Sequence, residues 1–299
     1  MKKPFVDLSK SILQRIDKIN GIDLYLKRDD LIHKDVSGNK WRKLKEHIRL
    51  ALEKNIDTIE TFGGAYANLL PSVAATGKIY GVKTIATVRG EEIANPTIDY
   101  CRKLGMELRF VSRARYKEIA RNLREVVIKG KTLIVPEGGA SKYGVIGCED
   151  IVNEIDMDFD IITVDAGTGA TAAGMLRALK KHQKLVVIPV LKGEFMKVEI
   201  KRLYEDTYGK TCPDNYDVIE DYHFGGFVKW NLDLIEFINL FRNKYGVQLD
   251  PIYTGKQLYG VINLMENGYF KGMNNIVSVH TGGLQGISGF EQRFGVKCS

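Results

Sequence analysis

The chain has 299 residues, a formal net charge of +7 at pH 7 and a pI near 9.0, and 44% of its residues are hydrophobic. This size allows one large or two smaller globular domains, and the absence of any apolar run of about 18 residues argues against a membrane-spanning helix. Lysine and arginine alternate with acidic residues and form no basic motif with interleaved aromatics, so the charge favours small anionic ligands over nucleic acid.

Two further features concern the compartment and metal binding. The start of the chain, Met-Lys-Lys-Pro-Phe-Val-Asp-Leu, lacks the apolar stretch and cleavage site of a signal peptide, so we expect a cytoplasmic protein. The four cysteines lack the spacing of a zinc site, and we expect free thiols and no bound metal. They are Cys101, Cys148, Cys212 and Cys298.

Strand-like runs alternate with segments long enough to form helices. The runs are rich in β-branched residues and nearly continuously apolar, which is typical of parallel strands covered on both faces. They span residues 57–62, 83–88, 107–111, 132–135, 160–164, 185–188 and 276–279. The alternation predicts an α/β fold.

Ahead of the first run, Lys40 directly follows Gly38-Asn39 at a junction between an extended segment and a helix. An amine acts as a nucleophile at neutral pH when burial or neighbouring cations disfavour its ammonium form. Three cations, Arg42, Lys43 and Lys45, follow closely. Lys40 is therefore a candidate covalent catalyst, and the alternative is an ordinary solvated helix face.

Several predicted strands are followed by glycine pairs or clusters. In open parallel sheets, ligands bind beyond the carboxyl ends of the strands, where glycine lets the backbone approach a ligand. The glycines lie at Gly63-Gly64, Gly138-Gly139, within residues 167–174, and at Gly282-Gly283. They predict one binding site.

The run 165–174 follows a predicted strand and begins a helix rich in alanine. Such a turn presents backbone N–H groups and two hydroxyls to an anion at a helix N-terminus, which indicates a phosphate cup. Two alternatives stay open. The run could be a dinucleotide fingerprint, although the next strand leads into Lys192 without an acid for a ribose, or it could be a purely structural turn.

A lysine able to form a Schiff base, a cup for one phosphate and an α/β sheet together indicate pyridoxal phosphate as cofactor. Eight sequence blocks then resemble the 1-aminocyclopropane-1-carboxylate deaminase and D-cysteine desulfhydrase family, in the family's order and over nearly the whole chain. The blocks are residues 26–31, 37–44, 61–66, 95–98, 136–139, 167–171, 249–256 and 280–283.

The resemblance implies a tryptophan-synthase-β-like fold, the second fold type of pyridoxal-phosphate enzymes, with two open, mostly parallel-sheet domains. Residues 45–152 would form the small domain, and residues 1–44 and 153–299 the large cofactor-binding domain. The active site would lie in the cleft between them. The family also implies a homodimer.

Residue roles are implied by the same resemblance. Lys40 would bind the cofactor covalently and act in catalysis with Tyr253, Asn68 would contact the cofactor's phenolic oxygen, and Thr254 would face its pyridine nitrogen. The residues expected at the phosphate are Gly167, Thr168, Gly169, Ala170 and Thr171. Those expected at the substrate are Ala65, Tyr66, Ala67, Asn68, Leu69 and Phe227.

The chain departs from the family pattern at several of these positions. Ala67 and Leu69 stand where relatives have serine and histidine, and Phe227 stands where they commonly have tyrosine, so we expect a more apolar substrate pocket. Thr254 replaces the glutamate of relatives that open the cyclopropane ring. A neutral hydroxyl there is a weaker partner for the pyridine nitrogen, which disfavours cyclopropane opening.

The leading hypothesis is a pyridoxal-phosphate-dependent lyase or deaminase that eliminates the β-substituent of a small amino acid and gives a 2-oxo acid and ammonia. One alternative is racemisation, β-replacement or elimination on a bulkier amino acid admitted by the apolar pocket. Another is a binding protein that retains the cofactor without catalysis. We expect no nucleic-acid or membrane partner.

Overall fold

The computed structural model describes residues 5–298 as two β-sheets covered by helices. The strands are β1 (Leu13–Ile19), β2 (Ile22–Lys27), β3 (Thr58–Gly64), β4 (Lys83–Arg89), β5 (Glu107–Val111), β6 (Val127–Lys129), β7 (Thr132–Ile134), β8 (Ile161–Ala166), β9 (Lys184–Pro189), β10 (Tyr216–Val218) and β11 (Asn275–Val279). The helices are α1 (Asn39–Glu53), α2 (Leu69–Tyr80), α3 (Pro96–Lys103), α4 (Arg113–Asn122), α5 (Lys142–Gly147), α6 (Asp150–Asn153), α7 (Ala170–Ala178), α8 (Met196–Tyr208), α9 (Leu232–Tyr245), α10 (Thr254–Glu266) and α11 (Ile287–Phe294). Short 3-10 helices cover Leu8–Lys10, Asp29–Leu31, Glu137–Gly139 and Leu284–Gly286.

One sheet has six strands in the order β1-β2-β11-β8-β9-β10, and the other has five in the order β5-β4-β3-β7-β6. All paired strands run parallel except β1 with β2 and β6 with β7. This confirms the predicted α/β class with two mostly parallel sheets. Every residue of the central strand β8 is buried, as expected for a strand with helices on both faces.

Each of the seven predicted runs is a strand, displaced at its ends by at most two residues. The sequence analysis did not predict β1, β2, β6 and β10. Three of these four lie at sheet edges, where strands are short or exposed on one face and carry no continuous apolar run.

The two sheets are built from separate stretches of the chain. The five-stranded sheet is built from residues 58–134, and the six-stranded sheet from residues 13–27 and 161–279. Helix α1 continues through residues 44 and 45 without a break. The exact boundaries stay a prediction, and residues 1–4 and 299 of the predicted large domain lie outside the described part of the chain.

All four cysteines are free thiols, as predicted. Burial raises the pKa of the Cys148 thiol to about 11 and that of Cys101 to about 12, so neither is an activated nucleophile. Within residues 5–298, no helix combines the length and the apolar character that crossing a membrane requires.

Candidate active site

Lys40 lies in the first turn of α1 and reaches into a cavity of about 1310 Å³. The turn depends on Gly38, whose φ is +60° and whose added Cβ would lie 2.0 Å from the carbonyl oxygen of Thr281. The Nζ atom of Lys40 donates to that same carbonyl oxygen at 3.4 Å. Only glycine allows the segment after β11 to approach the start of α1 this closely.

The pKa of Lys40 falls to about 8, mainly because of burial. Asp165 and Asp250 oppose the shift by stabilising the ammonium form, and Lys43 adds to it. At neutral pH roughly one Lys40 amine in ten is therefore uncharged and nucleophilic. Burial, one of the two conditions expected to disfavour the ammonium form, is thus the main cause here.

Of the three cations that follow Lys40, Lys43 contributes to lowering its pKa. Arg42 is fully buried and binds Asp29 and Glu154 at 2.9 and 2.5 Å, and Lys45 forms an ion pair with Asp150. The three side chains differ because successive residues of a helix point in different directions. Arg42 ties the start of α1 to the segment after β2 and to the end of α6.

The predicted phosphate turn joins β8 to α7. Gly169 has a φ of +78° and precedes Ala170, the first helical residue, and no side chain caps this helix end. The hydroxyl of Thr168 is buried without a hydrogen-bond partner among the described residues. Free amides and an unpartnered hydroxyl at a helix N-terminus make a binding site for an anion such as phosphate.

Asn39 contacts this turn, although no pattern in the sequence assigned it a role. Its side-chain Nδ2 donates to the hydroxyl of Thr171 at 3.2 Å, while its Oδ1 is buried and unpartnered among residues 5–298. Asn39 lies directly before Lys40 and lines the same cavity. The start of α1 and the phosphate turn are thus linked by a side-chain hydrogen bond.

Asn68 lies at the opposite side of the cavity, in the loop between β3 and α2. Two glycines pack against its side chain. An added Cβ would lie 2.7 Å from its Nδ2 at Gly283 and 3.1 Å from its Oδ1 at Gly286. This close packing holds the amide of Asn68 at the cavity wall, where the predicted contact with a cofactor oxygen is chemically suitable.

Asp250 organises the start of α10. Its carboxylate accepts hydrogen bonds from the amides of Ile252, Tyr253 and Thr254 at 2.9–3.0 Å, and from the Thr254 hydroxyl at 2.9 Å. Thr254 is fully buried and is not among the residues that line the cavity. Because its hydroxyl proton is committed to Asp250, Thr254 has only acceptor capacity left for another group.

Tyr253 closes one face of the cavity. Its ring centroid lies 5.5 Å from the Nζ atom of Lys40 and 6.0 Å from the ring of Phe227. Gly167 lies beneath the Tyr253 ring, where an added Cβ would be 3.4 Å away, at ordinary van der Waals contact. Burial and the nearby carboxylates raise the pKa of Tyr253 well above its usual value, so the phenol stays protonated.

The residues expected at the substrate line the cavity as a group. They are Ala65, Tyr66, Ala67, Asn68, Leu69 and Phe227. The Asn68 carbonyl oxygen accepts from Gln285, which ties the loop to the segment after β11. Phe227 is 37% exposed, so its ring covers the cavity mouth rather than the core.

Asp165, at the end of β8, is a second residue that the sequence analysis did not assign. It is 3% exposed, lines the cavity and accepts a hydrogen bond from the Thr281 hydroxyl. Burial raises its pKa to about 6, while Lys40 and the Thr281 hydroxyl oppose that rise. A carboxylate near the end of a strand of almost entirely apolar residues was the available signal in the sequence.

His280 has a structural role. Its Nε2 contacts the carbonyl oxygen of Gln248 at 2.7 Å, and its Nδ1 accepts from the amide of Gly282 at 3.2 Å. The side chain is fully buried. Both ring nitrogens are therefore engaged by backbone, and His280 is not placed to act as a base.

A cavity with these groups fits pyridoxal phosphate: an amine of lowered pKa, an uncapped helix end with an unpartnered hydroxyl, and a side-chain amide on the wall. Comparison with known proteins agrees. A Pyrococcus furiosus protein provisionally named 1-aminocyclopropane-1-carboxylate deaminase is 33% identical over 296 residues, covering 92% of this chain and 88% of that protein. The mitochondrial bifunctional D-cysteine desulfhydrase/1-aminocyclopropane-1-carboxylate deaminase of Arabidopsis thaliana is 27% identical, covering 90% and 74%.

A solved structure is also similar. The crystal structure of an ACC deaminase homologue superposes with a TM-score of 0.83 at 30% identity and covers 98% of this chain and 95% of that one. The family model described as "Pyridoxal-phosphate dependent enzyme" matches residues 12–282, which is most of the chain. The chain therefore belongs to the pyridoxal-phosphate-dependent enzyme family.

Proposed function

We propose that this pyridoxal-phosphate-dependent enzyme is a lyase that removes the β-substituent of a small amino acid and releases a 2-oxo acid and ammonia. One observation carries the proposal. Lys40, whose pKa is lowered to about 8, lines the same cavity as the phosphate turn and the loop 65–69. The named relatives that deaminate or desulfhydrate amino acids support the same class.

In this proposal Lys40 binds the cofactor covalently and Asn68 contacts its phenolic oxygen. The phosphate lies at Gly167, Thr168, Gly169, Ala170 and Thr171. Pyridoxal phosphate supplies an electrophilic carbonyl for the substrate amine and a conjugated ring that accepts the electron pair left on Cα. Thr254 is proposed to face the pyridine nitrogen as a hydrogen-bond acceptor, because its own proton is directed to Asp250.

Lys40 is also the proposed base. Its uncharged Nζ would take the Cα proton of the bound substrate, and burial raises the uncharged share of the amine to roughly one in ten at neutral pH. The bond from Cβ to its substituent then breaks, and the electron pair leaves with the substituent. One water is consumed as the remaining fragment gives a 2-oxo acid and ammonium, so the net deamination is hydrolytic.

Tyr253 and the loop 65–69 are proposed to position the substrate. The Tyr253 phenol is neutral and can donate a hydrogen bond or a proton at its Oη, for example toward a departing group. The loop carries backbone amides for the substrate carboxylate. Ala67, Leu69 and Phe227 leave this side apolar, which favours a bulkier amino acid, racemisation or β-replacement as the second candidate.

The quaternary structure and location are also proposals. The family resemblance supports a homodimer, with residues 45–152 as the smaller domain of each subunit, whereas the cytoplasmic location rests on the sequence expectation alone. Light scattering during size-exclusion chromatography would test the dimer directly.

The test of the function is Lys40→Ala beside Lys43→Ala, because both lysines line the cavity. We expect Lys40→Ala to lose the visible absorbance of the bound cofactor and to reduce turnover by roughly 10²–10⁴-fold, whereas Lys43→Ala keeps the absorbance. Turnover is followed as 2-oxo acid released from a panel of D- and L-amino acids. Full activity in Lys40→Ala, or lost absorbance only in Lys43→Ala, would contradict the assignment.

A further inference from the structure

The outer part of the active-site cavity is strongly cationic. Six basic side chains line it, all of them exposed: Arg89, Arg113, Lys117, Arg121, Arg124 and Arg293. Two carboxylates, Glu137 and Asp165, also line the cavity, and Asp165 is bonded to Thr281 near Lys40. The volume of about 1310 Å³ exceeds the roughly 300–1,000 Å³ usual for a ligand site, so room remains beyond the cofactor.

These cations differ from the other arginines in lacking acidic partners. Among the 15 arginines, all of them in the described part of the chain, eight form ion pairs with acidic side chains. Five of the other seven line this cavity, and the remaining two are Arg177 and Arg242. Unpaired arginine is therefore concentrated at the active site.

Helix α4 shows most clearly that the unpaired cations face the cavity. Arg113, Lys117 and Arg121 recur every four residues and share one helix face, which is the face at the cavity. Arg115 of the same helix points elsewhere and pairs with Glu118 at 2.7 Å. Like charges at this spacing, with Arg113 at the positive end of the helix, destabilise α4, so helix stability does not account for them.

Aromatic rings orient two of the cations from opposite sides. The guanidinium of Arg89 lies 5.4 Å from the centroid of Tyr116, which is buried, and that of Arg293 lies 5.5 Å from the centroid of Tyr66. Arg89 ends β4 of the smaller sheet, whereas Arg293 belongs to α11 near the end of the chain. The positive charge thus converges on the cavity from both sides.

We propose that the substrate is an amino acid whose β-substituent carries a second anionic group, a phosphate or a carboxylate, bound by this cationic face. The proposal rests on the proposed function and names its substrate class. Guanidinium groups bind both anions through paired hydrogen bonds. The substrate's own carboxylate is then held at the loop 65–69, and the anionic substituent extends toward α4.

O-phosphoserine is the probe for a phosphate substituent, and its β-elimination proceeds as follows. Lys40 takes the Cα proton, the Cβ–O bond breaks, and its electron pair leaves on inorganic phosphate. One water is consumed as the remaining fragment gives pyruvate and ammonium. S-carboxymethylcysteine offers the carboxylate instead, with the Cβ–S bond breaking and thioglycolate departing.

The test uses the holoenzyme and a double variant, Arg113→Gln with Arg121→Gln. Arg115→Gln is the matched control, since it removes a cation of the same helix outside the cavity. Binding is measured by calorimetry with α-methyl-O-phosphoserine, which has no α-proton and cannot be eliminated, and with neutral α-methylserine. We measure kcat/KM in parallel with both enantiomers of O-phosphoserine, S-carboxymethylcysteine, O-acetylserine and S-methylcysteine.

We expect the wild-type enzyme to bind the phosphorylated analogue at least tenfold more tightly than the neutral one. The double variant should lose that preference and at least tenfold in kcat/KM on the anionic substrate it prefers, with neutral substrates and Arg115→Gln unchanged. Which anionic substrate shows the effect distinguishes phosphate from carboxylate.

Efficient turnover of neutral amino acids, without any preference for anionic analogues or substrates, would overturn the inference and leave the proposed function intact. Tight binding of the phosphorylated analogue that needs Arg113 and Arg121, without turnover of any amino acid, would contradict the proposed function and support the cationic site.

Discussion

The two ends of the active-site cavity are built in opposite ways. At the inner end, the helix that carries Lys40 is fixed by Arg42, which does not line the cavity, is fully buried and pairs with Asp29 and Glu154. At the outer end, the three α4 cations that line the cavity, Arg113, Lys117 and Arg121, are exposed and have no acidic partner among residues 5–298. The inner end is organised before any ligand arrives, which suits a resident cofactor, whereas the outer end leaves its charge available to a ligand that comes and goes.

The largest effect is expected from breaking the buried ion pairs. Arg42→Ala leaves Asp29 buried without its main partner and should lower the free energy of unfolding by about 3–5 kcal/mol. Arg49→Ala, on the exposed side of the same helix, removes contacts with Glu46 and Glu53 and should cost at most about 1 kcal/mol. Urea unfolding measures both, and equal losses would show that burial does not distinguish them.

An intermediate effect is expected at the phosphate turn. Thr168→Val keeps the side-chain shape but removes a hydroxyl that has no partner within the described chain. A hydrogen bond to a charged group is worth about 1.5–3 kcal/mol, so affinity for pyridoxal phosphate should fall roughly ten- to hundredfold. Thr168→Ser should retain it.

The apoprotein supplies the control for this prediction. Removing a buried, unpartnered hydroxyl should leave the thermal stability of the apoprotein equal or higher, because no protein hydrogen bond is lost. Titration of apoprotein with cofactor, followed by visible absorbance, measures the affinity. Unchanged affinity in Thr168→Val would exclude the hydroxyl as a phosphate ligand.

The smallest effect concerns the charge beside Lys40. Asp165 stabilises the Lys40 ammonium, so Asp165→Asn should lower the pKa of Lys40 below its value of about 8. The pKa of Asp165 itself is about 6, so wild type and variant should differ above pH 6 and converge below it, where Asp165 is protonated. Glu137→Gln removes the other carboxylate of the cavity and should change the Lys40 pKa less.

The readout is the pH dependence of reductive methylation of Lys40 in the apoprotein, with the modified lysine identified by mass spectrometry. A Lys40 pKa that rises in Asp165→Asn, or that falls only in Glu137→Gln, would contradict the arrangement at the inner end of the cavity.

Features encoded by local pattern were predictable. Runs rich in β-branched residues predicted β3, β8 and β11, and glycines at the end of β3 and after β8 line the cavity. Gly38 lets the start of α1 approach the backbone of Thr281, and Gly169 has a φ of +78°. The neighbours of Lys40 were not predictable from sequence spacing. Helix geometry makes Arg42 and Lys43 point in different directions, but which of them lines the cavity with Lys40 depends on how α1 packs in the fold.

The sequence by itself predicted the α/β class, which the structure confirms, and it pointed to Lys40 and the turn after β8, which line one cavity, because each depends on residues adjacent in the chain. The tertiary structure alone decided which charges meet. It placed Asp165 near Lys40 and brought Arg89, Arg113 and Arg293 to one cavity from β4, α4 and α11. Electrostatic interactions act through space, so a charge that looks dispersed along the chain becomes specific only when the fold concentrates it.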